Sequence, residues 1–377
     1  MAVTEPVRHA YVHVPFCRHR CGYCDFTLVA GRDDLRADYA AALSQELTRL
    51  PQPLVLDTLY FGGGTPSHFG PDGLRQLFQL TAARLQPGPT AEVTVEANPL
   101  DVTAELIEAA CECGVTRVSL GSQSLNQQTL AALDRDHQPD DVCRAVKRLL
   151  GAGLTVSVDL LIAAPGQTLN GVKADLEATI ALGCQHVSVY CLTWEPGTDF
   201  FRRRQRGLLQ AVPEGLERAM FEEAIHRLER AGYRQYEVSN FARPGGRCRH
   251  NEAYWDCRPW EAFGPGAARF DGRTRKTNHR SPTTWIRRIR AGQDATGEVD
   301  EMNAEEAARE RLVLGLRRRD GIDCKAFAKA SGYSVEELAE QPLARWVAAG
   351  LAVADDDTVR LTHAGLLVSD SLWSEVL

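Results

Sequence analysis

The sequence predicts an α/β protein: a partial (β/α)6 barrel of TIM-like form with a small C-terminal winged-helix-like α/β domain. Three observations predict it. From residue 9 to about 240, short apolar runs alternate with helical stretches, the rhythm of parallel strands joined by helices. The distinctive glycine and polar residues of this region fall at the carboxyl ends of those runs, where parallel sheets collect ligand groups. Past residue 300 helices are followed by two short strand-like runs around an acidic turn. Periodicity alone also admits an open doubly wound sheet. The expected divisions are 1–240 for the barrel, 241–300 for an irregular segment and 301–377 for the terminal domain.

In chain order, Ala10–Val14 reads as the first strand. Leu35, Tyr39, Leu43 and Leu47 recur every four residues and predict a helix over 33–50. Leu54–Phe61 is a second strand and 71–85 a second helix. Val93 and Val95 alternate within a strand over 92–96, followed by a helix over 103–113. Arg117–Gly121 is strand four, with helices at 126–133 and 140–152. Thr155–Ile162 and 171–182 form the next pair, then strand 186–192 and helix 214–231, with Gly232 as its terminator. Residues 241–280 mix Gly, Pro, Arg and aromatics and read as irregular. Helices follow at 304–316, 334–340 and 341–349, strands at 351–354 and 358–361, and a last helix at 362–376.

The net charge of −7 over 377 residues gives no basic footprint for nucleic acid, and the turn Asp355-Asp356-Asp357 would repel phosphate. The run Arg202-Arg203-Arg204-Gln205-Arg206 reads as a solvated face, with contact to anionic lipid left open. No signal-peptide pattern or membrane-length apolar run is present, so a cytoplasmic location is the expectation. Eleven scattered cysteines argue for a reducing compartment.

Chemistry centres on His13-Val14-Pro15-Phe16-Cys17-Arg18-His19-Arg20-Cys21-Gly22-Tyr23-Cys24-Asp25-Phe26. Cys17, Cys21 and Cys24 are spaced C-x3-C-x2-C. Three thiolates on one loop suit three irons of a [4Fe-4S] cluster and leave the fourth iron open to a ligand. The competing assignment is a zinc knuckle completed by His13 or His19. One strand later, Gly62-Gly63-Gly64-Thr65-Pro66 permits close approach of a ligand to the backbone. Glu96, Gln123, Arg135 and Asp159 then stand on successive units, Arg135 as a bidentate partner for a carboxylate.

The cysteine spacing matches the signature of the radical S-adenosylmethionine (SAM) superfamily. In those enzymes SAM chelates the open iron, and an electron from the cluster yields a 5′-deoxyadenosyl radical. Tyr11-Val12-His13-Val14-Pro15-Phe16-Cys17, Phe61 to Pro66, Ser119-Leu120-Gly121-Ser122-Gln123-Ser124, Asp159 through Thr168, Leu192 to Thr198 and Tyr236 to Ala242 together resemble the family of oxygen-independent coproporphyrinogen III oxidase and its relative HemW. The resemblance covers nearly the whole chain. It implies that Cys17, Cys21 and Cys24 hold the cluster. It also implies that Tyr11, Tyr23, Gly63, Gly64, Thr65, Glu96, Gln123, Arg135 and Asp159 contact SAM. The chain departs from the family at Gly121-Ser122-Gln123, often Gly-Val-Gln, and at Ala163-Ala164-Pro165-Gly166, often Gly-Leu-Pro-Gly.

Two features separate the branches. The decarboxylating oxidases carry a longer segment before the cysteines and a further cysteine where this chain has Phe26. The expectation is therefore a haem chaperone without coproporphyrinogen oxidase activity, the oxidase being the alternative. His250-Asn251-Glu252-Ala253-Tyr254-Trp255 matches the H-N-x-x-Y-W motif of the chaperone branch. The resemblance implies haem binding there, with His250 as ligand, flanked by Cys248 and Cys257. Otherwise His250 caps a loop and Tyr254 and Trp255 fill core. Haem-acceptor proteins, such as respiratory haem proteins, and a peripheral membrane contact are the partners implied.

Overall fold

The computed structural model describes residues 6–377. Strand β1 (His9–Val14) leads into a two-residue strand β2 (Phe16–Cys17), which pairs in parallel with β3 (Val29–Ala30). Helix α1 (Arg36–Leu47) then lays Tyr39, Leu43 and Leu47 on the core. β4 (Leu54–Gly63), α2 (Gly70–Ala82), β5 (Leu85–Ala97) and α3 (Ala104–Glu112) follow. Next come β6 (Arg117–Gln123), α4 (Gln127–Ala132), α5 (Pro139–Gly151), β7 (Thr155–Ile162), α6 (Leu169–Ala181) and β8 (His186–Cys191). Side-chain oxygens of Thr103, Asn126 and Thr168 cap α3, α4 and α6, satisfying donors that the first helical turn leaves free.

β1, β4, β5, β6, β7 and β8 are neighbours in that order, every pair parallel, with helices packed outside: the partial barrel. Its core runs from Ala10, Val12 and Val14 through Phe61, Val95, Leu120 and Val158 to Val187 and Val189. β5 starts seven residues before the expected 92, because Leu85–Pro87 already pair with β4 ahead of an irregularity. Gly88 and the two prolines beside it hide that first segment in a sequence pattern.

Helices α7 (Asp199–Gln205) and α8 (Glu214–Arg230) precede the short strands β9 (Arg234–Gln235) and β10 (Asn240–Ala242), which extend the sheet beyond β8. The expectation of irregular structure over 241–300 is corrected. Helix α9 (Arg249–Trp255), strands β11 (Trp260–Phe263), β12 (Ala268–Phe270) and β13 (Thr274–Asn278), helix α10 (Pro282–Arg290) and strand β14 (Thr296–Glu301) occupy it. β11 pairs in parallel with the free side of β1, and β12 to β14 continue antiparallel. Strands of three to six residues joined by glycine-containing turns leave too little periodicity to read. The outer edge strand β14 exposes Glu298, Asp300 and Glu301, charges that discourage edge pairing with other chains.

The last segment has its own core, including Leu312, Phe327, Trp346, Leu361 and Trp373. Its order is α11 (Ala304–Leu316), β15 (Ile322–Asp323), α12 (Cys324–Ser331), α13 (Val335–Ala348), β16 (Ala352–Ala354) and β17 (Thr358–Leu361), a winged-helix arrangement with sheet order β15-β17-β16. The two helices expected at 334–340 and 341–349 are one element, α13, kinked at Ala339 (φ −148°) three residues before Pro342. The expected final helix is two short ones, α14 (His363–Leu367) and α15 (Ser369–Trp373). Among the described residues no helix is long and apolar enough to cross a membrane.

Candidate functional site

Pairing of β2 with β3 pinches off the loop that carries Cys21 and Cys24 and leaves Cys17 at its base. Cys24 N–H donates to Cys21 O at 3.1 Å, and Arg20 ties the loop by donating to Cys24 O and Leu28 O. The neighbouring loop after β4 is held against it. Gly64 N–H donates to Val14 O and Thr65 N–H to Phe16 O, both at 2.8 Å. A Cβ on Gly64 would lie 2.8 Å from Phe16 O and 2.9 Å from Phe16 N, and Gly63 has φ +113°. The glycines are thus required by the contact between the two loops. Gly64→Ala is expected to push these loops apart at a cost of about 1–3 kcal/mol, as overpacking does, checked by chemical denaturation.

Cys17, Cys21 and Cys24 line the mouth of one cavity of about 500 Å³ at the carboxyl ends of the parallel strands. Tyr23, Gly63, Gly64, Thr65, Glu96, Gln123, Arg135 and Asp159 line the same cavity. Thr65 Oγ1 lies 3.3 Å from Cys17 Sγ. Arg135 donates to Gly121 O at 2.8 Å and lies 3.5 Å from Cys21 Sγ, while its Nε is buried without a partner. Burial pushes the Cys17 thiol up to about 12, partly offset by the hydrogen bond with Thr65.

Glu96 accepts from Tyr60 Oη at 2.8 Å and from Gly63 N–H at 2.9 Å, and burial lifts its carboxyl to about 7. Asp159 is likewise raised by burial, against the hydrogen bonds of Ser188, Ser119 and Ser157. Gln123 ends β6 with φ +65°, past an irregularity in the β6–β7 pairing that turns its side chain to the cavity. At the second departure from the family, Ala163 adopts φ +61°, a backbone that glycine takes freely and alanine at about 1–2 kcal/mol.

Tyr11 and His250 do not join this set. Tyr11 donates toward His13 Nδ1 (3.1 Å) and packs against the rings of Tyr60 and His250, which stack on each other at 5.0 Å. His250 is buried on α9, its Nδ1 2.8 Å from Thr58 Oγ1 and its Nε2 2.8 Å from Tyr254 Oη. Burial drives its imidazole down to about 3. In this conformation neither nitrogen is free for iron. Cys248 also lines the cavity, whereas Cys257 is buried beneath β11 and β12.

The zinc alternative finds little support. His13 spends Nε2 on Thr27 O (2.7 Å) and Nδ1 on Tyr11. Among the described residues no three His, Cys, Asp or Glu side chains converge on a point suited to a single ion. Three thiols that line one cavity without converging on a single-ion site instead fit a multi-iron cluster that takes one thiolate per iron. The cavity behind them, with a carboxylate, an amide and a guanidinium, fits a zwitterionic ligand such as SAM.

Sequence reasoning missed the rest of the lining: Tyr60, Thr94, Arg117, Ser119, Ser157, His186, Ser188 and Tyr190. A signal was present for three of them: Tyr60, Thr94 and Ser157 stand two residues along a strand from Gly62, Glu96 and Asp159, the period that returns side chains to one face.

The radical SAM superfamily pattern matches residues 11–179, and that of the HemN C-terminal domain matches 302–368. The chain is 34% identical to "Heme chaperone HemW" of Bacillus subtilis, over 98% of this chain and 99% of that protein. It is 36% identical to the protein of the same name from Mycobacterium tuberculosis, over 97% and 94%. "Radical S-adenosyl methionine domain-containing protein 1, mitochondrial" of Mus musculus is 33% identical over 97% and 86%. Among solved structures, coproporphyrinogen III oxidase (HemN) from Escherichia coli superposes with a TM-score of 0.86 at 19% identity, over 99% of this chain and 91% of that one. That likeness establishes the fold they share. Membership of the superfamily implies a [4Fe-4S] cluster and SAM as cofactors. With the cysteine loop and glycine loop facing one cavity, and about a third of all positions shared with these relatives end to end, the chain belongs to the HemW family of radical SAM proteins.

Proposed function

We propose that this protein is a haem chaperone, binding a [4Fe-4S] cluster, SAM and haem and delivering haem to acceptor proteins such as respiratory haem proteins. The observation that carries it is similarity over nearly the full length to proteins named as haem chaperones. Phe26, exposed at the cavity mouth where the decarboxylating oxidases resemble one another in carrying cysteine, supports it against the oxidase reading. In this proposal Cys17, Cys21 and Cys24 ligate the cluster. Tyr23, Gly63, Gly64, Thr65, Glu96, Gln123, Arg135 and Asp159 surround SAM, and Tyr11 buttresses that wall through Tyr60. A cluster held by these thiols would supply an electron to SAM bound beside it. Glu96 offers its carboxylate to the ligand's ammonium or ribose, and Arg135 offers a donor to its carboxylate. The proposed setting is cytoplasmic, with peripheral membrane contact only.

Haem ligation by His250 requires an opened state, because Nε2 must first leave the Tyr254 hydroxyl. The test is a spectral titration of the anaerobically reconstituted protein with haem, beside a coproporphyrinogen turnover assay. The expected result is stoichiometric haem binding without turnover, weakened at least about tenfold in His250→Ala. Unchanged affinity in that variant would place the iron elsewhere, and turnover without tight haem binding would make the protein a compact oxidase.

A further inference from the structure

Asp159 sits at the end of a chain of hydrogen bonds that crosses the barrel. Ser119 Oγ lies 3.0 Å from its Oδ2 and Ser157 Oγ 3.3 Å from its Oδ1, with Ser188 a third partner. Ser157 Oγ is also 2.7 Å from His186 Nδ1. His186 Nε2 is 2.8 Å from Tyr236 Oη, which receives Cys248 N–H at 3.3 Å. His186 and Tyr236 are both almost fully buried, and their rings meet edge-on at 5.7 Å.

A backbone N–H can only donate, so the Cys248 end fixes the sense of the chain. Tyr236 accepts from Cys248 and donates to His186 Nε2. His186 then carries its proton on Nδ1 and donates to Ser157, which donates to Asp159. Every group in this arrangement is satisfied. In the reverse sense Tyr236 would accept twice, leaving its own buried hydroxyl proton without an acceptor, and Asp159 would lose a donor. An unmet buried donor costs about 1–3 kcal/mol. Burial also keeps the imidazole neutral, holding His186 well below the ordinary histidine range.

We infer that His186 is a positioning residue, held as the neutral Nδ1–H tautomer so that the chain from Cys248 through Tyr236 and Ser157 presents Asp159 as an acceptor-only carboxylate to one hydroxyl or N–H donor of the cavity ligand. A carboxylate has about four acceptor positions; Ser119 and Ser157 occupy part of them, and Asp159 lines the cavity with acceptor capacity left for a ligand donor. The ligand assignment rests on the proposed placement of SAM beside Asp159; the tautomer does not.

The test uses the full chain, reconstituted anaerobically. Nitrogen-15 NMR of histidine is expected to show His186 protonated on Nδ1, and a proton on Nε2 would overturn the inference without any substitution. For SAM binding, His186→Phe is expected to weaken affinity about tenfold, and His186→Asn, which keeps an amide N–H at the Nδ1 position, to restore it within about threefold. Equal affinities for wild type and His186→Phe, with Asp159→Asn weakened, would overturn the positioning role. Unchanged affinity in Asp159→Asn, with the Nδ1 proton present, would instead overturn the placement of SAM and leave the donor chain standing.

Discussion

Alanine at Cys17, Cys21 or Cys24 is expected to abolish the cluster and, with it, measurable SAM binding. Each thiol lines the cavity mouth from a different point of the loop, and no other cysteine is placed to substitute without rebuilding the β2–β3 pinch. Iron and sulfide analysis after anaerobic reconstitution should fall to background in each variant. Substitution of Thr65, whose hydroxyl lies 3.3 Å from Cys17 Sγ, should be milder, about tenfold in cluster or SAM affinity, as for groups that orient metal ligands. Cys191→Ala and Cys248→Ala change cysteines that line the same cavity away from the loop, and should retain full iron content. A protein that keeps its iron in Cys21→Ala but loses it in Cys191→Ala or Cys248→Ala would overturn the cluster assignment.

The second large effect concerns Glu46, a buried carboxylate on α1 remote from any ligand. Its Oε2 accepts from Gly264 N–H at 2.8 Å, and its Oε1 accepts from Asn278 Nδ2 at 2.8 Å and Trp285 Nε1 at 3.3 Å. It thereby joins the first helix to β11, β13 and α10. Glu46→Ala strands three buried donors at about 1–3 kcal/mol each, which together approach the whole margin of a typical domain. Loss of soluble folded protein, or an unfolding free energy lowered by several kcal/mol in chemical denaturation, is the expected result. The pH dependence has a definite sign. Burial raises the folded carboxyl to about 7 from an ordinary 4.5, so the folded state holds the proton more tightly than the unfolded chain. The stability owed to this group is fully present below about pH 4.5 and is lost as pH rises toward 7. The difference between wild type and Glu46→Ala should therefore narrow across that window and level off above it.

The strands of the first half were legible because apolar residues recur along them at strand spacing, as Val156, Val158, Leu160 and Ile162 do within Thr155–Ile162, which the structure reproduces residue for residue. The cysteine and glycine loops were legible because their spacing carries chemistry whatever surrounds it. Arg117 and His186 were not. Each occupies a strand position whose meaning depends on which face the barrel encloses, and a one-residue change of register would have put it outside. His250 was read from a motif, and motifs do not report hydrogen bonds. The Tyr254 contact lies within α9, one turn along, and the Thr58 contact exists only because β4 and α9, nearly two hundred residues apart, are packed together. The segment 241–300 failed for a related reason, since its short strands form only against β1, which supplies the edge.

That last pairing imposes an order of events on synthesis. β1 is an interior strand, but the neighbour on one of its sides, β11, is made some 250 residues after it. Until Trp260–Phe263 emerge, the strand that launches the cluster loop has an open edge, and Glu46 lacks Gly264, Asn278 and Trp285. Arg280, which donates to Asp25 O within the cluster loop, arrives later still. A ribosome stalled after the barrel helices would thus carry a nascent chain whose metal-binding loop is already translated but unbraced, with an unpaired strand edge open to aggregation. By this topology the cysteine loop gains its full bracing only near the end of translation.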